Sequence, residues 1–149
     1  MKYLFSLLFV FLLNLSYAQN TLEVTINGIK ILEGNIKVAL YNNSLGWDKD
    51  MKSHLGENVY EGKIVNADSS SIKVIFKNLP SASYAISLFH DVNSSGLMDM
   101  GGFLKLIPQE PFGFSNNFVP KMSAPKFPDC SFFINEKEMK YIKIELIER

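Results

Sequence analysis

The chain of 149 residues has a single cysteine, Cys130. No disulfide can therefore form within it, even in an oxidising compartment, and its stability has to come from packing. Charge of one sign is also missing, because 15 basic residues face 15 acidic ones. Such a balance creates no field that would draw nucleic acid or anionic lipid, so nucleic acid is not an expected partner. No apolar run reaches the roughly 20 residues that span a bilayer. One cysteine and two histidines, His54 and His90, give no recognisable zinc ligand set at these spacings. Nucleophile elbows and phosphate-cradling glycine loops are absent, and no segment sustains a helical period over three turns.

What is present begins with the first eighteen residues. Met1 and Lys2 precede an apolar stretch from Leu4 to Leu13, and Ser16 and Ala18 supply small side chains at the two positions a signal peptidase inspects. This is the form of an export signal, with cleavage expected between Ala18 and Gln19 and a periplasmic or extracellular product. Removing it takes away Lys2 alone, leaving 14 basic residues against 15 acidic ones over residues 19–149. That length suits one domain with a real hydrophobic core.

The remainder alternates apolar and polar residues, the period of half-buried strands. Leu22, Val24 and Ile26 form one set, and Ile36, Val38 and Leu40 a second. Ile72, Val74 and Phe76 form a third, then Tyr84, Ile86 and Leu88, and finally Ile142, Ile144 and Leu146. Weaker strands are expected at Val59 to Asn66 and Ser131 to Asn135. About seven short strands predict an all-β antiparallel sandwich. One short helix is expected over Trp47 to Gly56. Pro80 predicts a turn before Tyr84, whose hydroxyl is placed to bond a nearby backbone group. Cys130, followed by Phe132, Phe133 and Ile134, reads as a small buried hydrophobe rather than a reactive thiol.

The stretch from Asp91 to Pro128 shows no persuasive strand, and connections beyond roughly 12–15 residues are uncommon in compact domains. Its five phenylalanines, Phe103, Phe112, Phe114, Phe118 and Phe127, argue for an ordered loop packed on its own rings and on one sheet edge. It opens with oxygen-bearing side chains at alternate positions, Asp91, Asn93 and Ser95, followed by Gly96, Leu97 and Asp99. Hard cations take 6–8 oxygens, and this run follows the first nine places of an EF-hand loop, with the Leu97 carbonyl as one ligand. Calcium is accordingly the one cofactor the sequence offers. The twelfth place, a bidentate glutamate in that loop, is Gly102 here, so the site would be weak. Asp, Asn, Ser and Gly are equally the residues of a metal-free turn closed on its own backbone, and both readings stand at this level.

The run from Tyr84 to Asp99, together with Ile107-Pro108-Gln109-Glu110-Pro111-Phe112-Gly113-Phe114-Ser115-Asn116-Asn117, resembles the signature of an exported bacterial family known only as a domain of unknown function. Ser95 and Leu106 depart from its usual asparagine and glycine. The resemblance implies a secreted β-sandwich of transthyretin-like or immunoglobulin-like topology and brings no activity with it. His90, Glu110, Ser115, Asn116 and Asn117 are the candidate ligand-binding residues, for a small molecule or a protein. His90 and Asp91 are adjacent on a strand and point to opposite faces, so they form no catalytic dyad. The expectation is a non-catalytic binding or accessory module of the bacterial envelope. The alternatives are a hydrolase using Asp91 or Glu110 as general base, and a purely structural envelope domain.

Overall fold

The computed structural model describes residues 20–148, so the expected export signal lies outside the described residues. Strand β1 (Asn20–Asn27) is followed by β2 (Asn35–Tyr41), helix α1 (Ser44–Ser53), β3 (Glu61–Asn66), β4 (Ser71–Leu79) and β5 (Ala82–Asp91). After them come β6 (Met100–Gly101), β7 (Ile107–Pro108), β8 (Phe112–Phe114), the short helix α2 (Phe127–Cys130), β9 (Phe132–Ile134) and β10 (Met139–Glu145). The seven strands read from alternation are all present. Three more, β6, β7 and β8, lie in the stretch that reads as strandless.

Two sheets make the sandwich. One has the order β10-β1-β4, and the other runs β3-β2-β5-β8, with β9 also paired to β5. Pairing is antiparallel except between β1 and β10, which run parallel from Thr21 opposite Met139 to Asn27 opposite Glu145. The antiparallel sandwich expected from the sequence is present, with this one parallel pair added: local alternation reveals that a segment is a strand, not which distant segment it will lie beside. Between the sheets lie Leu22, Val24 and Ile26, Ile36, Val38 and Leu40, Val74 and Phe76, and Tyr84, Ile86 and Leu88. Burying each of these stabilises the fold by about 1.5–3 kcal/mol before entropy is counted. The Tyr84 hydroxyl donates to the Pro80 carbonyl at 2.9 Å, as the turn predicts, and burial, then Tyr60, pushes it up to about 12.

The five-stranded sheet is apolar on its other face too. Tyr41 on β2, Ala85 on β5, and Phe112 and Phe114 on β8 form a second core with Trp47 and Cys130. Helix α1 starts at Ser44, three residues before the expected Trp47, because the Asn43 side chain accepts the Gly46 N–H at 2.8 Å and satisfies an end donor. That start sets fully buried Trp47 edge-on to Tyr41, with ring centroids 5.2 Å apart. Its indole N–H donates to the Pro125 carbonyl at 2.8 Å, tying α1 to the stretch before α2. Phe112 and Phe114 are buried, and Phe118 and Phe127 pack against the same core. Phe103 is the exception. It is 87% exposed near the tip of the β6–β7 hairpin. The long excursion thus adds β8 beside β5 at the sheet's edge, as expected, and covers the sheet's outer face as well.

Candidate ligand-binding cleft

Asp91 ends β5 with its side chain on the outer face, while His90 turns inward, as the strand period requires. Both are 1% exposed. Asp91 Oδ1 accepts the Ser95 N–H at 2.8 Å and Oδ2 the Gly96 N–H at 2.9 Å, so one carboxylate closes the turn. Lys37 Nζ lies 3.9 Å from Oδ2 and donates to the Gly96 carbonyl at 2.5 Å. Asn93 Oδ1 also accepts from Ser95 N, at 2.9 Å, and its amide donates to Asp99 at 2.7 Å. The Ser95 hydroxyl donates to the Leu97 carbonyl at 2.9 Å. The five residues of the calcium pattern therefore spend their oxygens on one another and on the backbone. Among the described residues no three His, Cys, Asp or Glu side chains gather as a metal-binding group. In the structure these oxygens close a hydrogen-bonded turn.

Glu110 folds back onto the same turn. Its two oxygens accept Val92 N–H and Asp99 N–H, each at 3.1 Å, pinning both ends of the loop from eighteen and eleven residues away. Burial raises the Glu110 carboxyl above its ordinary value; the charges of Asp99 and Asp91 add to this, and the two N–H bonds oppose it. With Asp91 1% and Glu110 7% exposed and both turned onto backbone donors, neither faces an open site where a general base would work. Gly34 permits the turn's close approach: at φ +71, a Cβ there would collide with the Asp91 carbonyl. The glycine is plain in the sequence, but its partner is set by tertiary packing.

The other candidate ligand-binding residues also bond the main chain. His90 Nε2 is 2.7 Å from the Glu33 carbonyl. The fully buried Ser115 hydroxyl donates to the Cys130 carbonyl at 2.6 Å and accepts the Ile86 N–H at 2.8 Å. Asn116 donates to the Ser131 carbonyl at 3.0 Å, and Asn117 accepts the Glu145 N–H at 2.9 Å. Both asparagines have left-handed backbones, with φ of 60 and 50, a conformation asparagine tolerates better than most residues. The Ser-Asn-Asn run is thus a clasp that fastens the excursion to β5, α2 and β10. Among the described residues, no buried side-chain nitrogen or oxygen lacks a partner.

Open space lies elsewhere. A cleft of about 930 Å³ sits on the outer face of the five-stranded sheet, beside the Trp47 core. Gly62 lies opposite Ala39, and Ala39 opposite Ser87, so three neighbouring strands place small side chains in one row. That row is the floor of a trench running across the strands. Met51 and Leu55 form one wall, and Met98, Met100 and Pro108 come from the excursion, with Met122 in the loop before α2. From the acidic turn only Gly96, Leu97 and Met98 line it, and the clasp contributes nothing. Sequence reasoning missed this site because the row exists only in the register of three strands. Its one visible trace is that four of the chain's six methionines line it.

Two sheets packed face to face, with a helix and a long excursion walling a trench on one outer face, define the class: a decorated β-sandwich with an open apolar cleft. Comparison with curated proteins and with solved structures returned no significant match. A family model described as an uncharacterized protein conserved in bacteria (DUF2141) matches residues 24–142, and the chain belongs to that family.

Proposed function

We propose that this protein is an exported, non-catalytic binding module that holds an apolar ligand in the cleft over Gly62, Ala39 and Ser87. The observation that carries this reading is the uncovered trench. One half of the sheet's outer face is filled by Trp47 and its aromatic neighbours, while the adjacent half is left open and lined by methionine, leucine and proline. Ligand sites are typically apolar concavities of roughly 300–1,000 Å³ with few polar groups. Methionine walls suit such a role, since the thioether chain is flexible and polarizable and adapts to varied shapes. Export is supported by the charged start, apolar centre and small-residue exit of residues 1–18.

The test is Gly62→Leu. A Cβ at Gly62 meets only ordinary contacts, 3.9 Å from the Val38 carbonyl and from Val59, and its backbone needs no positive φ. The substitution fills the trench without straining the strand, and replacing a strand glycine contributes about 0.5–1 kcal/mol of stability. The protein is expected to bind the neutral apolar dye Nile red at one site. The variant is expected to melt no lower than wild type and to lose the dye. Undiminished dye binding by a folded Gly62→Leu protein contradicts the proposal.

A further inference from the structure

We infer that the natural occupant of this cleft is an amphiphile with one anionic head on an extended aliphatic tail, the chemistry of a long-chain carboxylate. The inference rests on the binding reading above and narrows it by three observations.

The first is shape. Adjacent strands lie about 4.8 Å apart, so the row from Gly62 through Ala39 to Ser87 gives a floor about 10 Å long before it reaches the phenylalanines of β8. A trench of small residues running across strands accepts an extended chain lying along it.

The second is the shortage of hydrogen-bonding groups. The Trp47 N–H is spent on the Pro125 carbonyl, and the Tyr41 hydroxyl donates to Asp50 at 3.1 Å. Asp50, 2% exposed, also accepts both the backbone and side-chain N–H groups of Asn58, at 2.9 and 2.8 Å. That leaves two serine hydroxyls lining the cleft, Ser87 on the floor and Ser123 in the loop before α2. A sugar requires many directed partners, and the chain's one tryptophan, the usual stacking platform, is fully buried. An added peptide strand requires a free sheet edge; β2 and β5 beneath the trench are each paired on both sides, and the edge strand β3 lies at the end of the trench, so a strand added there would run across its mouth rather than along its floor. An aliphatic chain makes neither demand.

The third is charge. Asp50 is the one acid lining the cleft, and its oxygens are already taken. The bases that line it are Lys37, His54, Lys63 and Lys121. Lys63 pairs with Glu61 at 2.8 Å and lies 5.6 Å from the inward-facing Phe76 ring, so its ammonium points away. Lys37 is part-buried over the Phe89 ring, 5.9 Å from its centroid, and is already engaged by the Gly96 carbonyl and by Asp91 at 3.9 Å, which leaves Lys121 as the open cation. Lys121 is exposed and has no ion pair among the described residues. An apolar trench with lysines at its margin and no available carboxylate complements an anionic head and repels a cationic one.

Isothermal titration of the purified protein with dodecanoate, dodecanol and dodecylammonium, below their micelle concentrations, tests this directly. Dodecanoate is expected to bind one per chain, at least tenfold tighter than the other two. From octanoate to dodecanoate, affinity is expected to rise about fourfold per methylene until the trench is full. Lys121→Glu is expected to weaken dodecanoate and leave dodecanol unchanged, while Gly62→Leu, or Ala39→Phe as a second block, removes both. Equal affinity for all three head groups overturns the anionic-head inference and leaves the binding module standing. Nile red binding that Gly62→Leu abolishes, with all three aliphatic probes silent, overturns the aliphatic tail. Silence of the dye and the probes alike removes the binding reading itself.

Discussion

Replacing Asp91 with alanine separates the two meanings of the acidic loop. The substitution deletes the acceptor of two part-buried N–H groups, Ser95 at 2.8 Å and Gly96 at 2.9 Å, and takes a negative charge from beside Lys37. Hydrogen bonds to a charged partner contribute about 1.5–3 kcal/mol each. Ser95 N keeps a second acceptor in Asn93 Oδ1, so its loss is partial and the total comes to about 2–4 kcal/mol. For a domain of this size that lowers the melting temperature by about 8–16 °C. Urea unfolding followed by circular dichroism measures the free energy, and melts in millimolar calcium or chelator supply the second axis. A weak extracellular-type calcium site would add about 0.4–1.4 kcal/mol at millimolar calcium. The hydrogen-bonded turn predicts equal wild-type melts with calcium and with chelator. A loss below about 0.5 kcal/mol in Asp91→Ala, within the range of ordinary surface changes, would show that the turn does not depend on this carboxylate. A calcium-dependent rise that the variant abolishes would restore the metal.

Three further outcomes follow from buried groups. Ser115→Ala leaves the Ile86 N–H and the Cys130 carbonyl without their partner, and is expected to cost about 1–3 kcal/mol in urea unfolding; a neutral variant would remove the clasp. Burial, the largest cause, raises the Glu110 carboxyl above its ordinary value. The folded state therefore holds its proton where the unfolded state releases it, and that stability is full below the unfolded value and is lost as pH rises through the folded one. Unfolding free energies of wild type and Glu110→Gln are expected to diverge as pH climbs from 4.5, with wild type losing ground; a constant difference contradicts this. Burial, then Asp129, pushes the Cys130 thiol up to about 12, so a disulfide reagent is expected to label it only after unfolding, and labelling of the native protein at neutral pH would show the site is open.

Much of the sandwich is legible because its strands are half-buried. Leu22, Val24 and Ile26 are buried while Thr21, Glu23 and Thr25 are not, and that contrast is written locally. β8 escapes the same reading because Phe-Gly-Phe is only three residues long, and Gly113 is required where a Cβ would press on Ile144 from the neighbouring β10. The acidic run at Asp91 is visible as a turn or a calcium loop, but the choice between them depends on Glu110 arriving from far along the chain. The asparagines at 116 and 117 carry a signal for left-handed backbone rather than for ligand contact. The trench is the least legible feature, since glycine, alanine and serine on three separate strands become a floor only once the register brings them together.

The cleft's occupancy can be watched from its own walls. Met51, Met98, Met100 and Met122 line it, and Met139 on β10 lies outside it. With methyl-¹³C methionine, addition of dodecanoate is expected to move the resonances of the four lining methyls and leave Met139 in place. Four unmoved cleft methyls at saturating dodecanoate, or a shift confined to Met139, would contradict the account.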